Sequence, residues 1–212
     1  MKNYSGAGVL PIYILNKIPY IVTFTSSKGI ITDAGGKKEY NDSIIYTASR
    51  ELFEESAGLI KINEDDLTNN SIYIDLKHND KYYRSYFIII DNIDIEYYDD
   101  NLKKFKKFKF NPFTETHGIK LMRLDNIDID NNQIKLISSN NYKLVLAPRL
   151  NKIIKKILKK YNNLNTFYKQ IKKNIGVINL KKNKININTY EYDTNKNIKI
   201  TNITTFLSIN IY

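Results

Sequence analysis

The chain contains no cysteine, so disulfides, thiol catalysis and cysteine-bound metals are excluded from the outset. It also lacks any apolar run near the ~20 residues needed to span a bilayer. The one N-terminal apolar stretch, Gly6 to Leu15, is broken by Pro11, and no small-residue cleavage site follows it, which argues against a secretory signal. No internal repeat is present. These absences lead to the expectation of a soluble protein, cytoplasmic or otherwise intracellular, with no membrane partner. Acidic residues are scarce at one end only. From Arg149 onward, 14 Lys and Arg face two acids, Glu191 and Asp193, leaving 19 bases and 20 acids in residues 1–148. The whole formal charge of +11 therefore resides in the last 64 residues. A localised positive face concentrates polyanions, so an RNA or polyphosphate partner is expected.

Carboxylates are concentrated in one short segment instead. Gly36 and Asp42 precede the run Arg50-Glu51-Leu52-Phe53-Glu54-Glu55. On a helix, Glu51, Glu54 and Glu55 stand at i, i+3 and i+4 and leave from one face. Leu52 points elsewhere, with Ile45 and Ala48 behind it. Like charges crowded together repel unless a cation sits among them, and oxygen-only ligands suit Mg²⁺, with Mn²⁺ as a substitute, rather than zinc. An ExxEE helix alone is commonly a solvated face. The glycine pair ending a strand at Asp33-Ala34-Gly35-Gly36, and a cap at Asp42 or Ser43, favour a site.

The stretch Gly36 to Leu59, GKKEYNDSIIYTASRELFEESAGL, resembles the signature of Nudix hydrolases. That pattern reads glycine, five residues, glutamate, seven residues, then Arg-Glu-apolar-any-Glu-Glu-any-Gly-apolar. Gly36, Arg50, Glu51, Leu52, Glu54 and Glu55 fall in register. Asp42 stands where the family has glutamate, which shortens the arm by one methylene. Ala57 stands where it has glycine, and Gly58, one residue later, is expected to supply the left-handed helix stop. The resemblance implies an α/β fold, a Nudix-like α/β/α sandwich with a mixed sheet flanked by helices. It covers about residues 1–161, leaving 162–212 as a basic C-terminal extension of one helix and a β hairpin.

Alternating and apolar segments predict strands at Val9–Leu15, Ile18–Thr25, Ile30–Thr32, Ser71–Leu76, Tyr82–Asp91, Ile119–Leu124 and Ile134–Ser138. The acidic helix is expected at about Ser43 to Ala57. Pro148 opens an amphipathic helix whose Leu150, Ile153, Ile154, Ile157, Leu158 and Tyr161 face inward between lysines, and a second helix is expected at Thr166 to Asn174.

By the resemblance, the activity is pyrophosphohydrolysis of a nucleotide-derived substrate. Glu54 and Glu55 would be metal ligands, and Glu51 a ligand or the base that takes a proton from water. Arg50 would orient them, and a backbone carbonyl at Gly35 or Gly36 would complete the coordination. Glu115, in the loop before Ile119, is the candidate for a further catalytic acid. Two basic features are candidates for substrate binding. One is Lys103, Lys104, Lys106 and Lys107 in NLKKFKKFKF, which otherwise reads as an amphipathic element with its phenylalanines in the core. The other is Arg84, beside Tyr82, Tyr83 and Tyr86, where a tyrosine cluster on the sheet is the commoner explanation. The cationic end makes the 5′ cap or triphosphate end of RNA the finer expectation. Small nucleotides or inositol pyrophosphates, and a catalytically silent binding module, are the alternatives.

Overall fold

A computed structural model of the protein describes residues 2–105, 116–130, 133–136 and 145–180. Its strands and helices in chain order are β1 (Tyr4–Leu15), β2 (Ile18–Thr25), β3 (Ile31–Thr32), β4 (Ala34–Lys37), α1 (Ile44–Glu55), α2 (Glu64–Asn69), β5 (Ile72–His78), β6 (Lys81–Ile90), α3 (Glu96–Phe105), β7 (Gly118–Arg123), β8 (Ile127–Asp130), β9 (Gln133–Leu136), α4 (Pro148–Tyr161), α5 (Leu164–Lys172) and β10 (Val177–Ile178).

β1 is long enough to serve two partners along one edge. Its first half, Gly6 to Val9, pairs antiparallel with β4, and its second half, Ile12 to Leu15, pairs with β2. Pro11, which cannot donate to a ladder, falls between the two stretches. Along its other edge β1 runs parallel to β6, which carries β5 antiparallel and β10 parallel, while β7 extends the sheet beyond β2. The result is a mixed eight-stranded sheet, with β8 and β9 a separate hairpin.

The two-residue period of the strands builds a core on each face. Ala7, Val9, Val22, Phe24, Tyr86, Ile88 and Ile90 pack with Ala48 and Leu52 of α1 and Leu67 of α2. Leu10, Ile12, Ile21, Phe87 and Ile89 pack on the opposite side with Leu150, Ile153, Ile154 and Ile157 of α4 and Leu164, Phe167 and Ile171 of α5. The chain is thus an α/β/α sandwich with a mixed sheet between helical layers, the architecture that the sequence resemblance implies.

One feature departs from the sequence reading: the segment Ala34 to Lys37, read there as the end of a strand, is itself β4. Within the described residues α5 packs into the core and β10 pairs with β6, as part of one compact unit that runs through Leu180. The hairpin expected between Ile185 and Ile200 lies outside the described residues.

Candidate functional site

Helix α1 begins at Ser43, whose hydroxyl accepts the backbone N–H of Tyr46 at 2.9 Å. Ala48 and Leu52 anchor one side of it in the core, and this turns Glu51, Glu54 and Glu55 toward β4. All three carboxylate residues are buried, at 9%, 7% and 6% exposure. At that depth an unpaired charge is costly, so the partners of each decide what the cluster is.

Arg50 is the main partner. Its Nη2 lies 3.0 Å from Glu51, Nη1 lies 2.9 Å from Glu54 and Nε lies 3.4 Å from Asp42. Nη2 also donates to the Lys37 carbonyl at 3.2 Å, which ties the helix to the end of β4. Burial works against this guanidinium, but Glu54 and Glu51 outweigh it and raise its pKa above the usual arginine value. Glu51 and Glu54 are therefore ion-paired rather than the unpaired set that spacing alone implied. Asp42, one methylene shorter than glutamate, still reaches the arginine, though at the long limit of a hydrogen bond.

Glu55 is held differently. Its Oε1 accepts the backbone N–H of Gly35 at 3.1 Å, while its Oε2 is buried with no hydrogen-bond partner among the described residues. Burial pushes its pKa up to about 9, against the opposing effect of the Gly35 N–H. Gly36 lies directly against Glu51: a Cβ at position 36 would collide with that carboxylate. A larger residue there would have to push the Glu51 carboxylate out of its present position.

The end of α1 is fixed by residues that the sequence did not single out. Thr116 Oγ1 donates to the Glu55 carbonyl at 2.7 Å and meets the Tyr98 hydroxyl at 2.7 Å, and Asn101 donates to the Ala57 carbonyl at 3.1 Å. Ala57 itself adopts φ 50°, and Gly58 follows at φ 77°. The left-handed stop therefore occupies both residues, rather than Gly58 alone.

A second set of groups reaches β4 from the other face of the sheet. Ile31 N–H donates to the Val145 carbonyl at 2.9 Å and Ala147 N–H to the Ile31 carbonyl at 2.7 Å, which pins the start of α4 beside β3. Arg149, in the first turn, then lies 2.8 Å from Asp33 and donates to the Gly35 carbonyl at 2.6 Å. Asp33 is fully buried, and the Tyr83 hydroxyl donates to its other oxygen at 3.1 Å. The ring of Tyr83 also lies under the Arg149 guanidinium, 4.7 Å from its centroid.

The substrate-binding candidates divide. Arg84 is engaged by Asp75, with Nε 2.8 Å from Oδ1 and Nη2 3.2 Å from Oδ2, and its guanidinium lies 3.7 Å from the ring centroid of Tyr73 and 4.6 Å from that of Tyr4. Lys2 and the Tyr4 hydroxyl also reach Asp75. This is the tyrosine cluster of the commoner reading, and it stands apart from the contacts of Arg50 and Glu55. Lys103 is exposed on α3, paired loosely with Asp100 at 3.6 Å, while Leu102 and Phe105 enter the core. The backbone of Lys104 belongs to the same helix. Lys106, Lys107 and Glu115 lie outside the described residues.

Among the described residues, no three acidic, histidine or cysteine side chains form a ready-made cage for a metal ion. The donor set nevertheless suits a hard divalent cation: it is made of oxygens, and Glu55 Oε2 is buried with no hydrogen-bond partner among the described residues. No helix among the described residues is long and apolar enough to cross a membrane.

No family model matches the chain, and no curated protein matches it. Solved structures do. A MutT/nudix family protein from Enterococcus faecalis aligns with 81% of this chain and 68% of its own at 11% identity and a TM-score of 0.48. A bifunctional NMN adenylyltransferase/ADP ribose pyrophosphatase from Francisella tularensis aligns with 76% of this chain but only 42% of its own, at 17% identity and a TM-score of 0.42. A C. elegans Ap4A hydrolase aligns with 57% of this chain and 80% of its own at 15% identity and a TM-score of 0.35. The chain is thus similar in trace to structures that include a nudix family protein, and its Gly36–Leu59 stretch resembles that family's signature.

Proposed function

We propose that the protein is a Nudix-type pyrophosphohydrolase that cleaves a diphosphate linkage in a nucleotide-derived substrate. The observation that carries this reading is the burial of Glu51, Glu54 and Glu55 on one face of α1, against a glycine strand, with Arg50 between two of them. A purely structural helix would gain more from apolar groups at those depths, since buried ion pairs rarely stabilise a fold relative to hydrophobic packing.

Glu51, Glu54 and Glu55, with the carbonyl of Gly36, would hold a divalent cation, Mg²⁺ by default and Mn²⁺ as a substitute, the Gly35 carbonyl being taken by Arg149. When bound, such an ion neutralises phosphate oxygens and lowers the pKa of a coordinated water. The chain's own groups supply the rest. Arg50 fixes the rotamers of Glu51 and Glu54 by charge-assisted hydrogen bonds, so that neither must reorganise when a phosphoanhydride arrives. Glu51 would serve either as one of those ligands or as the base that takes the proton from the attacking water.

The finer reading is a substrate with an RNA body, cleaved at its 5′ cap or triphosphate end. Residues 148–180 hold eight lysines and Arg149 with no acid among them. Seven of those lysines are exposed on or just after α4 and α5.

The direct test is a panel of capped RNA, triphosphate-ended RNA, diadenosine polyphosphates, nucleotide sugars and inositol pyrophosphates, assayed with Mg²⁺, with Mn²⁺ and with EDTA. Cation-dependent cleavage of a phosphoanhydride in any of them supports the reading, and preference for the RNAs supports its finer form. Binding without turnover across the whole panel would reject hydrolysis in favour of a silent binding module.

A further inference from the structure

We infer that Arg149, with Asp33 and Tyr83, forms a positioning triad that sets the Gly35–Gly36 strand against the acidic face of α1. The inference rests on the proposed hydrolase reading, because it assigns these residues to the same site. Gly35 is gripped at both ends of its backbone. Its N–H goes to Glu55 on α1, and its carbonyl accepts Arg149 on α4. Two helices on opposite faces of the sheet are thereby joined through one glycine, and the next residue, Gly36, is the one pressed against the Glu51 carboxylate.

Two glycines leave room for this arrangement. A Cβ at Gly8 or at Gly35 would collide with the Tyr83 hydroxyl, so both positions clear the slot through which that hydroxyl reaches Asp33. Asp33 has no exposure, so without Arg149 it would be an uncompensated buried charge. Core packing does not explain this, since an apolar residue at 33 would fill the same space without desolvating a carboxylate that then has to be matched by the half-buried Arg149. What the ions supply is direction: a planar guanidinium aimed at once at a carboxylate and at the Gly35 carbonyl. Groups that orient ligand-bearing elements from behind commonly matter about ten- to a hundred-fold in metal affinity or activity.

The test uses the full-length chain and three readouts: Mn²⁺ affinity by electron paramagnetic resonance, the Gly35 and Gly36 amide resonances by NMR, and kcat against KM on a substrate cleaved in the panel. The charge-neutral double variant Asp33→Asn/Arg149→Met avoids stranding a buried ion. We expect it to shift both glycine amides, to weaken Mn²⁺ binding by about ten- to a hundred-fold and to lower kcat comparably, with KM nearly unchanged. If it does not fold, Tyr83→Phe, which removes one hydroxyl, carries the same test with smaller changes in the same directions. A folded variant with wild-type Mn²⁺ affinity and kcat would overturn the triad while leaving the hydrolase reading intact. A wild-type chain that neither binds Mn²⁺ nor cleaves any phosphoanhydride would overturn both.

Discussion

Glu55 accepts the Gly35 backbone N–H at 3.1 Å through one oxygen, while its other oxygen is buried without a partner among the described residues. The carboxyl is half satisfied, and burial holds its pKa near 9.

A pH dependence of stability follows. Above the ordinary carboxyl value of 4.5 the unfolded chain gives up this proton, whereas the folded chain keeps it until about pH 9. The unfolded state therefore binds fewer protons, and stability falls as pH rises across that window, by up to ~1.4 kcal/mol per pH unit. Urea denaturation in EDTA at several values between pH 5 and pH 9 is expected to show this slope in the wild type and a flatter one in Glu55→Gln. Equal slopes would contradict the assignment.

Arg50 lies between two buried carboxylates, so removing it has a different signature. Arg50→Met strands Glu51 and Glu54, at an expected cost of about 3–5 kcal/mol for a broken buried pair. A divalent cation offers those carboxylates a replacement, so Mn²⁺ is expected to raise the Tm of Arg50→Met more than that of the wild type. Thermal melts with and without Mn²⁺ check both statements. An unchanged Tm in Arg50→Met would mean that the pairs contribute nothing.

The lysine layer separates large substrates from small ones. Replacing Lys152, Lys159 and Lys160 of α4 with glutamate is expected to reduce turnover of capped or triphosphate-ended RNA and to make its salt dependence shallower, since each phosphate contact contributes to the slope. Turnover of diadenosine polyphosphates is expected to stay within about twofold, since those lysines lie outside the acidic site. Equal loss on both substrate types would remove the RNA grip from the account.

The acidic helix was legible in the sequence because its information is local. Ser43 caps it, Leu52 and Ala48 anchor it, and Arg50 to Glu55 lie within two turns. The groups behind it were not legible, because their partners are distant in the chain. Arg149 is 116 residues from Asp33, and Tyr83 is 50. β4 was hidden by Gly35 and Gly36, residues of low strand propensity that are present because nothing larger fits beside Tyr83 and Glu51. For Arg84 the tyrosine cluster is legible in the sequence, but its ion partner Asp75 is not, because that pairing depends on the register of the β5–β6 hairpin. One signal was available. In a chain whose bases are nearly all lysine there are four arginines, and each is paired with an aspartate: Arg50 with Asp42, Arg84 with Asp75, Arg123 with Asp125 and Arg149 with Asp33. The scarce arginines mark directed, two-pronged contacts that lysine does not make.

The most direct measurement is cation-dependent phosphoanhydride hydrolysis by Glu54→Gln/Glu55→Gln beside the wild type, with circular dichroism on both. The account predicts a folded variant whose turnover is lost or reduced by at least about a hundredfold, in line with the removal of charge stabilisation at the reacting centre. A folded variant that turns over at the wild-type rate would contradict it and move the chemistry away from α1.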